Sequence, residues 1–141
     1  MSETKEEIAT PNPAVHQKKI SILIIDPDPD ESEVLRTWFV CDGHRVAITK
    51  DGCEGLTRAI LDQPSIILID PMLNDCDGFQ LIEDFKKNQA IKNIPLLMVT
   101  RLGQKNDIIR AVKLGISDYV VKPYDLDVIT QKVSEKVSGQ K

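Results

Sequence analysis

Four polar residues stand at the ends of short apolar runs: Asp26 follows ILII, Asp70 follows IILI, Thr100 ends LLMVT and Lys122 follows DYVV. Their types form a coherent chemical set. A carboxylate can accept a phosphoryl group, a hydroxyl can donate to one of its oxygens, and an ammonium can offset negative charge built up during transfer. Open α/β sheets place their ligand sites outside the carboxyl ends of buried strands. A fold that gathers these four ends would therefore make a phosphoryl-transfer site.

The elements that must do the gathering follow from periodicity. Run 20–25 carries four isoleucines and has the length of a buried strand. A helix follows with Asp28 as its cap, Pro29 at its first position and Glu31 completing a capping box; Val34, Leu35, Trp38 and Phe39 form its core stripe. Run 45–49 predicts a second strand, and Asp51 with Glu54 caps a helix bearing Leu56, Ala59, Ile60 and Leu61. Strand 66–69, a helix through Phe79, Leu81, Ile82 and Phe85, strand 96–100, helix 108–114 closed by Gly115, strand 119–121 and a helix over about 125–137 complete the series. Strands alternating with helices predict a parallel sheet covered on both faces by right-handed crossovers, a three-layer α/β/α domain.

A chain of 141 residues suits one such domain, expected over 20–137, with tails at 1–19 and 138–141; Pro11 and Pro13 interrupt the polar N-terminal stretch, expected to be mobile. The formal charge of -4 argues against a broad nucleic-acid or acidic-membrane surface. No apolar run is long enough to span a bilayer, so a cytoplasmic protein without membrane insertion is expected. Cys41, Cys53 and Cys76 form no CxxC pair and predict neither a disulfide framework nor a thiolate zinc site. DPDPD after the first strand lacks the glycine-rich turn of a dinucleotide site, and no separate nucleophile, base and substrate array points to a hydrolase.

The motifs ILIIDPD at 22–28, IILIDPMLNDCDG at 66–78, MVT at 98–100 and DYVVKP at 118–123 resemble the receiver domains of two-component response regulators. The resemblance covers about 19–137 and implies a flavodoxin-like receiver fold with a five-stranded parallel sheet of order 2-1-3-4-5. It implies Asp70 as phosphoacceptor, Asp26 as an upstream acid, and Thr100 and Lys122 as the family's hydroxyl and lysine. Tyr119 matches the aromatic switch position, Lys122-Pro123 the bond that is cis in the family, and Asp77-Gly78 the end of the acceptor loop. A magnesium ion held by Asp26, Asp70 and a loop carbonyl, that of Met72, is also implied.

The family usually has a second acid after Asp26, where this chain has Pro27, so magnesium binding is expected to be weak. Asp28 could replace that acid but is better explained as the helix cap. Asn74 stands where proline is common, and Arg101 where a small residue is common; the arginine either faces solvent or screens the pocket and meets phosphate. The resemblance implies a phosphorelay receiver modified on Asp70 by a sensor histidine kinase or histidine phosphotransferase, signalling to a downstream protein partner without direct nucleic-acid contact. Self-phosphorylation and autodephosphorylation are the only enzymatic steps expected. The alternative is a phosphorylation-independent pseudo-receiver that serves as a protein-binding module. No output domain is expected after the compact segment, so signalling is expected to pass through a partner, self-association or another chain, and Ile108, Ile109, Val112 and Val128 are either packing residues or part of a partner surface.

Overall fold

β-Branched residues favour extended backbone, and the first such run forms β1 (Ser21–Ile25), an interior strand of the sheet. The structure, a computed structural model, describes residues 19–139. β1 pairs in parallel with β2 (Arg45–Thr49) on one side and β3 (Ile66–Ile69) on the other. β4 (Leu96–Thr100) adds to β3, and β5 (Asp118–Val121) to β4, giving the order β2-β1-β3-β4-β5. This is the flavodoxin-like order implied by the family resemblance.

Side chains alternate across each strand, and the core is split accordingly. Leu23, Ile25, Ile67, Ile69, Leu96 and Met98 face α2 (Gly52–Asp62), α3 (Gly78–Lys87) and α4 (Lys105–Leu114). Ile22, Ile24, Ile66, Leu68, Leu97 and Val99 face α1 (Pro29–Cys41) and α5 (Leu126–Ser138). Trp38 joins those last two helices, its indole N–H donating to Thr130 Oγ1 at 2.6 Å.

Several local expectations change. Asp28 caps α1, accepting from the amides of Asp30 and Glu31, but the Asp28 amide donates to Asp26 Oδ1 at 2.9 Å, leaving the Glu31 side chain free to turn elsewhere. Asp51 occupies the N-cap of α2 without a side-chain cap bond; Asp75, from the loop after β3, accepts from Gly52 and Cys53 amides at 2.8 and 3.1 Å. Val34 is 55% exposed and Leu61 72%, because each lies on the solvent side of a helix whose inner stripe is already filled. α5 extends through Ser138, with Gly139 as its cap residue. Of the expected tails, residues 1–18 and 140–141 lie outside the described residues.

Candidate functional site

From the edge strand β2 the chain crosses over β1 to β3, so β1 and β3 run side by side with Ile25 opposite Ile69. The next residues, Asp26 and Asp70, consequently leave neighbouring strand ends at the switch point where α/β sheets open a crevice. Lys122 Nζ sits between them, donating to Asp26 Oδ2 at 3.0 Å and Asp70 Oδ2 at 2.8 Å. The second oxygen of each carboxylate is held by backbone, Asp26 Oδ1 by the Asp28 amide and Asp70 Oδ1 by the Met72 amide, both at 2.9 Å. Asp26, Asp70 and Lys122 are all buried.

Thr100, at the end of β4, is fully buried and its Oγ1 accepts from the Leu102 amide at 3.1 Å. Tyr119 is half-buried against the core cluster shared with Leu102 and Leu114. The Lys122–Pro123 peptide is cis. Asp77 caps α3 through the Phe79 amide, and at Gly78 a Cβ would lie 2.0 Å from the Pro71 carbonyl oxygen, so only glycine lets the loop after β3 close against the helix.

Glu31 joins this constellation without having been expected there. Its Oε1 lies 2.6 Å from Lys122 Nζ, and its Oε2 lies 3.4 Å from Arg101, whose side chain is 66% exposed. Glu31 Oε1 is shut off from solvent but makes no aligned hydrogen bond, unlike the two aspartates. In sequence the residue is indistinguishable from half of a capping box. The clue was its place on the first turn of the helix that leaves β1.

The electrostatics follow from burial and pairing. Burial alone would depress the Lys122 ammonium, but its pairing with the carboxylates of Asp70, Glu31 and Asp26 outweighs it and raises the group above its ordinary range. Burial raises the Asp26 carboxyl, ahead of the opposing pull of the Asp28 amide and Lys122. Tyr124, beside the site, is pushed up to about 12 by burial and then by the charge of Glu31. A groove of about 380 Å³, lined in part by Glu31, Val34, Tyr124 and Leu126, opens along Lys122.

A parallel sheet of this order with two buried aspartates bridged by a lysine at its switch point defines a receiver-type signalling domain. Residues 22–134 match the response regulator receiver domain family, and the chain belongs to that family of two-component signalling. It is 36% identical over 112 residues to the DNA-binding dual master transcriptional regulator RpaA of Synechocystis sp., covering 79% of this chain and 46% of RpaA. It is 28% identical to protein PilH of Pseudomonas aeruginosa, covering 84% of this chain and 98% of PilH. The receiver domain of Francisella response regulator 1452 superimposes with a TM-score of 0.80 at 27% identity, covering 86% of this chain and 99% of that one. The chain spans about half the length of RpaA and of the probable transcriptional regulator ycf27 of Cyanophora paradoxa, 46% and 44%. Among the described residues no helix is long and apolar enough to cross a membrane.

Proposed function

We propose that this receiver takes a phosphoryl group onto Asp70 from the phosphohistidine of a sensor histidine kinase or histidine phosphotransferase, in the cytoplasm, and signals through protein contacts to a downstream partner. The observation that carries this reading is Lys122 Nζ bridging Asp26 and Asp70 at 3.0 and 2.8 Å. An Asp70 carboxylate oxygen attacks phosphorus, the P–N bond to the donor imidazole breaks, and the leaving nitrogen keeps the electron pair and takes up a proton. Lys122 offsets the charge carried on the phosphoryl oxygens. Thr100, one strand away, supplies a hydroxyl donor, and Tyr119 links its neighbourhood to α4.

The donor set suits a hard divalent cation. Asp26, Asp70 and Glu31 face the single ammonium of Lys122 within the pocket, leaving excess negative charge, and both aspartates offer carboxylate oxygens. Asp26, Asp70 and the Met72 carbonyl would hold magnesium, with water completing the shell because Pro27 contributes no side-chain donor. When bound, the ion neutralises charge on the transferred group.

Pro27 and the Glu31–Lys122 pair favour one competing reading, a pseudo-receiver that binds partners without modification. Intact mass after incubation with a small phosphodonor and magnesium, then with a histidine kinase, separates the two. Wild type is expected to gain one phosphoryl mass that Asp70→Ala does not. No Asp70-dependent gain from either donor leaves the pseudo-receiver.

A further inference from the structure

Three carboxylates converge on Lys122, and they are not equivalent. Asp26 and Asp70 make aligned, buried hydrogen bonds to its ammonium and are each pinned by a backbone amide. Glu31 arrives from α1 on a flexible side chain, touches Nζ out of hydrogen-bond alignment and is pinned only by exposed Arg101. An unaligned ion pair is weaker than an aligned charge-assisted bond, so Glu31 is the contact that yields first. Its carboxylate spans two cations, Lys122 after β5 and Arg101 after β4, at the mouth of the pocket. Two adjacent cations at strand ends are what a phosphoryl oxygen would seek.

We propose that Glu31 is an internal stand-in for the phosphoryl group: its carboxylate fills the oxyanion subsite of Lys122 and Arg101 and must leave Lys122 before an external oxyanion can enter. The inference rests on Asp70 being the phosphoacceptor only for its effect on phosphorylation rate; occupancy of the subsite is independent of that reading. The groove beside Lys122 gives the displaced side chain a place to turn, since Glu31 itself forms part of its lining. Glu31 is thus a positioning residue that sets when Lys122 becomes available.

The decisive measurement keeps subsite occupancy apart from covalent chemistry. Inorganic phosphate is titrated into Asp70→Asn and into the double variant Asp70→Asn/Glu31→Gln, following backbone amide resonances of Thr100, Arg101 and Leu102. Removing a like charge a few ångströms from the anion is expected to tighten phosphate binding by at least about tenfold. Glu31→Ala in the same background repeats the comparison without a side-chain amide, and thermal unfolding of each variant identifies any that fails to fold. Equal affinities, or no binding by either folded Glu31 variant, overturn the stand-in. In otherwise wild-type protein, Glu31→Gln is expected to take up phosphoryl groups from a small donor about tenfold faster. No mass gain in either protein from the small donor or from a histidine kinase, with the phosphate difference intact, overturns the proposed function and leaves the stand-in standing.

Discussion

Lys122 holds together charges that would otherwise repel at the strand ends. Replacing it with methionine leaves Asp26 and Asp70 buried without their shared cation, and urea unfolding is expected to show a loss of about 3–5 kcal/mol. An unchanged midpoint would mean that the carboxylates are stabilised by other groups. Because pairing raises the folded-state ammonium above its ordinary value of 10.5, this contribution is complete below that value and is lost only as pH rises through the higher folded one. Asp26, Asp70, Thr100 and Lys122 were readable in the sequence because each ends a buried apolar run, where strand geometry leaves little choice of position. Glu31 was not, since an acid three residues after a helix cap serves capping and ion pairing equally well on paper. Only the amide of Asp28, taken by Asp26, releases it.

Element boundaries followed from period and punctuation, whereas contacts between distant elements did not. The α2 cap is such a case. Asp51 occupies the expected position, but the carboxylate satisfying the first amides belongs to Asp75, in the loop that follows β3. Those two amide bonds hold the Asp75 carboxyl down at about 2, against an ordinary 3.8. A depressed carboxyl adds stability that is complete above its unfolded value and lost as pH falls through the folded one. Asp75→Ala is therefore expected to lower the urea midpoint at neutral pH, with the difference from wild type shrinking as pH falls from 3.8 towards about 2. Faster amide exchange at Gly52 and Cys53 should accompany it. A difference independent of pH would assign the effect to loop packing instead.

Across the whole molecule, alternation along the strands divides one sheet into two cores, and either one can be opened separately. Phe85, 1% exposed, anchors the α3 side; Phe85→Ala is expected to cost about 3–5 kcal/mol in urea unfolding. A loss below about 1 kcal/mol would show that this layer collapses around the gap. The three-layer class and strand order came from alternation and family motifs, but the exposure of Val34, Ile109 and Val112 did not, because an amphipathic stripe identifies its inner edge more sharply than its outer one. The bond from Trp38 to Thr130 has an optical consequence. The chain has a single tryptophan, and it lies about two turns beyond Glu31 on α1 with its indole N–H tied to α5. Its fluorescence therefore comes from one known place, and a shift in emission would report any change in the seating of α1 on α5 without an attached dye.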